Sequence, residues 1–258
     1  VRIRARDRVR RRKVVGGVRC VKGAAAVRSD AAVHPGPEDG PAESAAAKAR
    51  DALRALRPDT SEAQLALAAA LGTHAPALLP LVLADPTVLD DVQARPLDRT
   101  DDRDEIRKQF ALCAEAKDEA TLHRLLRQTR HRAMVRIALR EVLRYADIDQ
   151  TAGELAVVGS AALDAALSAC RHQLVQRFGD AMHSPEPEGG PAPVPIAVSA
   201  LGMGKLGGGE LNFGSDVDLI FFYDTDDGQV GDGLEVTVHD FFTRPVRLAT
   251  QALSQGTQ

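Results

Sequence analysis

Two carboxylates, Asp216 and Asp218, stand two residues apart at the head of an apolar, β-prone run from Val217 to Tyr223. Side chains two apart on a strand leave the same face, so this pair converges while Val217 and Leu219 pack on the other side. Oxygen ligands converging in this way suit a hard cation, Mg²⁺ or Mn²⁺, and such ions clamp phosphate oxygens during an in-line displacement. A glycine-rich turn precedes the pair, holding Gly202, Gly204, Gly207, Gly208 and Gly209 together with Lys205. Glycines let backbone N–H groups come close to a phosphate, and the lysine adds a point charge. The combination predicts a nucleotidyl-transfer site.

Gly202, Gly204 and Gly207 also spell G-x-G-x-x-G, the dinucleotide-binding fingerprint. That reading fails on length, because a Rossmann turn must open a helix of about ten or more residues before the next parallel strand, and the chain reaches Asp216 too soon. The phosphate-loop pattern G-x-x-x-x-G-K-[ST] is absent from the sequence. A lone D-x-D is weak evidence, since turn carboxylates at the mouth of a hairpin look the same.

The elements that must position these residues are two strands, Pro195 to Leu201 and Val217 to Tyr223, joined by the glycine turn. Ahead of them the chain reads as helical. Alanine, leucine and arginine dominate, only 3% of residues are aromatic and 44% are apolar, enough for a sizeable core. Helices are expected over Ala42 to Arg57, over Glu62 to Leu71 with a Ser61/Gln64 capping box and Gly72 as terminator, and over Ala77 to Ala84 and Thr87 to Ala94. Further helices are expected over Asp101 to Lys117, from Asp118 through Tyr145, and from a Thr151/Glu154 capping box to Phe178, closed by Gly179. The arginines of the helix after Asp118, among them Arg132, Arg136 and Arg140, read as a solvated face. Ser184 to Pro195 reads as a hinge. Asp224, Asp226, Asp227 and Asp232 read as a solvated acidic loop, and a last amphipathic helix, Val236 to Leu253, is kinked or restarted by Pro245.

Residues 1–41 form a basic tail and linker expected to be disordered, residues 42–183 a helical domain, and residues 194–258 a catalytic domain. The tail holds seven arginines before Lys13 and no apolar segment of a secretory signal. The net charge of −3 gives no general pull toward nucleic acid. Cys20, Cys113 and Cys170 are scattered, so neither a disulfide framework nor a zinc site is indicated, and a cytoplasmic protein is expected. No run approaches a membrane span in length.

The segment GMGKLGGGELNFGSDVDLIF resembles the nucleotidyltransferase superfamily. More narrowly it is very similar to the signature of the glutamine synthetase adenylyltransferase and adenylyl-removing enzyme family. The helical run LLRQTRHRAMVRIALREVLRYADIDQTAGELAVVGSAALDAAL looks like that family's segment ahead of its catalytic strands, so the resemblance spans most of residues 63 to 255. It implies an α+β fold, a mostly helical N-terminal region followed by a partial DNA-polymerase-β-like nucleotidyltransferase sheet. It implies Asp216 and Asp218 as metal and catalytic carboxylates, with Gly207, Gly208, Ser215 and Lys205 holding phosphate or nucleotide. It implies Mg²⁺ or Mn²⁺, ATP or ADP, and phosphate, with glutamine synthetase as protein substrate and a PII-type nitrogen regulator as a further partner.

The family carries two such sites, one removing AMP from the synthetase by phosphorolysis to give ADP and one adding AMP from ATP. The ELNF form resembles the first, which makes AMP removal the expected activity and AMP transfer or a non-catalytic docking fragment the alternatives. The family also brings a third carboxylate on a later strand, for which this chain shows no counterpart before Gln258. The expectation is therefore a truncated catalytic sheet with an exposed edge and little activity on its own.

Overall fold

The computed structural model describes residues 13–21, 39–184, 192–232 and 236–255. The chain opens with β1 (Lys13–Val21) and passes into the helices α1 (Asp39–Leu56) and α2 (Glu62–His74). A single 3₁₀ turn, Pro76–Leu78, leads to α3 (Leu79–Ala84), α4 (Val88–Ala94), α5 (Arg103–Gln109) and α6 (Ala111–Ala114). Two long helices follow, α7 (Glu119–Val142) and α8 (Ile148–Phe178). After them come β2 (Ala181–His183), β3 (Val194–Pro195), β4 (Val198–Gly202), α9 (Gly204–Gly208), β5 (Val217–Tyr223), β6 (Gln229–Val230) and α10 (Val238–Gln255). Two antiparallel three-stranded sheets result, ordered β1-β5-β4 and β3-β2-β6. The fold is α+β, as the sequence and its resemblance imply.

The helices stop and start where side chains satisfy their open backbone groups. Ser61 and Gln64 form the expected capping box of α2, and Asp118 caps α7 through Thr121 N–H at 2.8 Å. Several expectations are corrected. Gly72 does not end α2 but lies inside it against α1, where a Cβ would come within 2.6 Å of the Ala49 Cβ. The helix expected over Asp101 to Lys117 is two short ones, because the buried Phe110 caps the first and turns the chain into the second. The box that opens α8 is Asp147 with Gln150, four residues ahead of the expected one. Thr151 and Glu154 are buried inside that helix instead. α10 runs through Pro245 without interruption.

Arg132, Arg136 and Arg140 of α7 are not part of a solvated face, although Arg124 is exposed. Arg136 donates to the carbonyls of Arg95, Pro96 and Arg99 at 2.8–3.2 Å, and lies 3.4 Å from Asp101. Arg140 binds the Leu97 carbonyl, the Thr100 hydroxyl at 2.8 Å and Glu154 at 3.1 Å. Arg132 pairs with Asp85 and Asp91. Five donors in a rigid fork allow one guanidinium to hold several loop carbonyls, and here Arg136 and Arg140 staple the 95–101 segment onto α7 while Arg132 ties down residues 85–91. Burial depresses the Arg136 pKa, its opposing partner Asp101 notwithstanding.

One hydrophobic cluster runs from the helices into the first sheet, joining Leu126, Val158 and Ala166 to Leu206, Leu219, Phe221 and Val246. α8 is at its centre, packed against α5, α6, α7, α9 and α10. By length and composition α8 could cross a membrane, with a mean hydropathy of 1.3 over its most apolar window, but 61% of that window is buried within the protein. Its apolar face is spent on the core. Burial also pushes the Cys170 thiol up to about 12, leaving Cys113 and Cys170 as free, enclosed thiols.

The sheet differs from the expected two-stranded remnant. β5 is central, flanked by β4 on one side and β1 on the other. Residues 13–21, expected within a disordered tail, pair with β5 antiparallel from Lys13↔Tyr223 to Val21↔Val217, with two register shifts. The sequence KVVGGVRCV, rich in β-branched valine, accounts for that preference. The rest of the expected tail, residues 1–12 and 22–38, and residues 185–191 of the expected hinge lie outside the described residues. The strand expected from Pro195 splits: Val194–Pro195 joins the second sheet, and Val198 begins the strand that pairs with β5.

Candidate active site

The register of β4 on β5 sets the site. Gly202 stands opposite Leu219, and the Met203 N–H extends the ladder by donating to the Asp218 carbonyl at 2.8 Å. The turn out of β4 therefore leaves directly beside Asp218. Leu219, Phe221 and Tyr223 alternate into the core, which leaves Asp218 exposed on the other face, as period-two alternation requires. Asp216, just ahead of the strand, is exposed as well.

The glycine turn is tighter than a simple loop, because it winds into α9. Gly204 enters it at φ +53°, in the left-handed region, and a Cβ there would lie 3.7 Å from Asp218 Oδ2. Gly207 packs onto the strand it has just left: a Cβ would come within 2.5 Å of the Gly202 carbonyl oxygen. Its N–H is committed to the Met203 carbonyl at 3.2 Å. Gly207 thus serves to fold the turn back, and that N–H is not turned toward a phosphate. Gly208 sits at the end of the same helix.

A cleft of about 880 Å³ opens between this turn and the helical layer. Gly204, Lys205, Ser215, Asp216 and Asp218 line one side of it, while Glu141 of α7 and Thr151 of α8 face them. Of the residues expected at a site from sequence, the structure gathers Lys205, Ser215, Asp216 and Asp218 on this cleft and leaves Gly207 and Gly208 off its wall. Ser215 is buried and locked: its hydroxyl donates to Asn212 Oδ1 at 2.5 Å and accepts from the Asn212 N–H at 3.2 Å. Its proton is occupied in holding the 212–215 turn, which delivers the chain to Asp216. Asn212 was not among the expected residues, although asparagine three residues ahead of serine is a turn-forming pattern. Thr151 and Glu141 carry no such local signal, since only the packing of the helices on the turn brings them to the cleft.

The carboxylate pair fits two of the oxygen ligands a divalent cation takes. Among the described residues no group of three or more histidine, cysteine, aspartate or glutamate side chains is close enough to form a complete cage.

A strand, a glycine turn and a second strand headed by two exposed carboxylates, laid against a helical layer, define a nucleotidyltransferase-class domain. Comparison with known proteins agrees. The sequence model of the glutamate-ammonia ligase adenylyltransferase family matches residues 65–258, three quarters of the chain, and the chain belongs to that family. It is 38% identical over 141 residues to the bifunctional glutamine synthetase adenylyltransferase/adenylyl-removing enzyme of Burkholderia mallei (strain ATCC 23344), a match covering 54% of this chain and 14% of that protein. The enzymes of the same name from Thioalkalivibrio sulfidiphilus (strain HL-EbGR7) and Shewanella loihica (strain ATCC BAA-1088 / PV-4) are 42% and 37% identical over 136 and 147 residues. Those matches cover 53% and 57% of this chain, and 13% and 15% of the relatives. The chain thus spans only about a seventh of the length of the curated relatives it matches.

Proposed function

We propose that this chain carries a nucleotidyl-transfer site acting on glutamine synthetase, and that its direction is removal of AMP by phosphorolysis, releasing ADP. The observation that carries the reading is the exposure of Asp216 and Asp218 at the lip of a cleft that Lys205 also lines. The direction rests on the likeness of the ELNF segment to the adenylyl-removing form of the signature.

Each residue has a distinct task. Asp216 and Asp218 would hold Mg²⁺ or Mn²⁺, which when bound neutralises charge gathering on the α-phosphate of the AMP group. Lys205 adds a flexible positive charge on the same wall and orients phosphate oxygens. Ser215, held by Asn212, keeps the chain entering Asp216 in place. The incoming phosphate is already nucleophilic, so orientation and charge supply most of the rate and no strong general base is required. A phosphate oxygen bonds to the α-phosphorus, the bond to the synthetase tyrosine oxygen breaks, and the products are ADP and the restored tyrosine.

The test is to incubate protein carrying this chain with adenylylated glutamine synthetase, phosphate and Mg²⁺, and to measure ADP beside an Asp216→Asn control. Phosphate-dependent ADP that the substitution removes supports the reading. The printed names of the relatives cover both directions, so transfer of AMP from ATP to unmodified synthetase is the second reading. Label incorporated from ATP with no ADP release would move the assignment to it. Failure in both directions, with binding to the synthetase retained, would leave a docking role.

A further inference from the structure

The wall of the cleft opposite the carboxylates differs in character from the wall that carries them. The carboxylate side holds Lys205, Asp216 and Asp218; the other is formed by Ile148, Thr151, Ala152 and Leu155 of α8 with Leu211 and Phe213 of the turn between α9 and β5. Apart from Glu141 of α7 at its edge and the Thr151 hydroxyl, that wall is apolar. Ile148 stays 75% exposed, an unusual position for so large an apolar side chain on the first turn of a helix. Thr151 is only 4% exposed, and its Oγ1 is buried without a hydrogen-bond partner. A threonine in a helix ordinarily turns its hydroxyl onto the carbonyl one turn back. A buried hydroxyl left unpaired is costly, which calls for a partner that the described residues do not supply.

We propose that this wall is the nucleoside subsite of the cleft, and that Thr151 recognises the polar edge of the base or ribose of an adenine nucleotide. The proposal rests on the nucleotidyl-transfer reading above and assigns the half of the cleft that reading does not use. A nucleotide is polar at its phosphates and flat and apolar at its base, with a few hydrogen-bonding edges, and the two walls divide in the same way. Threonine in a helix has two accessible χ1 wells, so one rotation exchanges the methyl group for the hydroxyl at the cleft. The ligand would then pair the hydroxyl that the protein leaves unsatisfied, giving a site that favours a nucleoside over bare phosphate.

The experiment is calorimetric titration of the 258-residue chain with Mg²⁺·ATP and, separately, with Mg²⁺·tripolyphosphate, comparing wild type, Thr151→Val and Thr151→Ser. Valine keeps the shape and removes only a hydroxyl that has no bond to lose, so its melting temperature should match or exceed that of wild type. The expected result is a loss of about tenfold in ATP affinity for Thr151→Val, recovery in Thr151→Ser, and no change for tripolyphosphate. Equal affinities of wild type and Thr151→Val for ATP would overturn the inference and leave the site reading intact. So would equal weakening of both ligands, which would make Thr151 part of the phosphate wall. Wild type binding neither ligand would overturn the nucleotidyl-transfer reading and this subsite with it.

Discussion

Arg140 Nε lies 3.1 Å from Glu154 Oε1, and the two side chains, 1% and 6% exposed, form a buried ion pair that ties α7 to α8 behind the cleft. Arg140 also holds the Leu97 carbonyl and the Thr100 hydroxyl, so it is the junction of three segments. Removing it leaves Glu154 charged and unpaired in the interior. Arg140→Ala is expected to cost about 3–5 kcal/mol, read as a lower urea midpoint with little change in slope.

The same pair sets a pH dependence. Burial raises the Glu154 pKa above its ordinary 4.5, although Arg140 pulls the other way. A carboxyl whose folded pKa is raised binds its proton more tightly in the native state, so its contribution to stability falls as pH rises from about 4.5 through that higher value. Glu154→Gln cannot titrate and should flatten this segment of the curve. Urea unfolding of both proteins at several pH values across that window checks it, and parallel curves would count against it.

Ser215 and Asn212 are expected to act as one unit, because each bonds the other twice across the turn that delivers Asp216. Ser215→Ala and Asn212→Ala should each lower kcat of the transfer reaction about tenfold while KM for the protein substrate stays the same. The double variant should be hardly worse than either alone. An additive double variant would show that the two residues work separately.

At the far end of β5, the Tyr223 hydroxyl donates to Asp226 and lies 3.1 Å from His239 Nδ1 on α10, while the ring stacks on Phe242 at 5.1 Å. Burial, first, and then the Asp226 carboxylate hold the phenol well above its usual pKa. Tyr223→Phe keeps the stacking and strips the hydroxyl, which should cost about 1–2 kcal/mol and lower Tm by several degrees without touching the cleft. Calorimetric melting of the variant measures this.

The local grammar of the chain was legible in its sequence. Period-two alternation found β5 and the outward face of Asp218, and capping residues found the start of α2 and α7. What escaped notice needed partners far along the chain. Thr151 and Glu154 make a valid capping pattern, but Asp147 and Gln150 make one too, and only the burial of Glu154 against Arg140 chooses between them. The arginines of α7 look like surface because the carbonyls that bind them come from a loop about 40 residues upstream. Asp226, read as part of a solvated acidic loop, instead accepts from the Tyr223 hydroxyl, which also meets His239 of α10. In the glycine turn, composition suggested a phosphate cradle, whereas the N–H of Gly207 is used to wind α9 against β4.

The strand order β1-β5-β4 also bears on how the protein is made. Val21 pairs with Val217, across about 200 residues of intervening chain. A ribosome releases β1 first, then every helix through α8, and only afterwards the strand that β1 must meet. Until then β1 emerges without its partner, a stretch of unpaired β-prone backbone open to pairing with other chains. The strand that carries Asp218 closes the sheet from the middle, and it is made only after β1 and the helices through α8, so it joins a body that has already been synthesised.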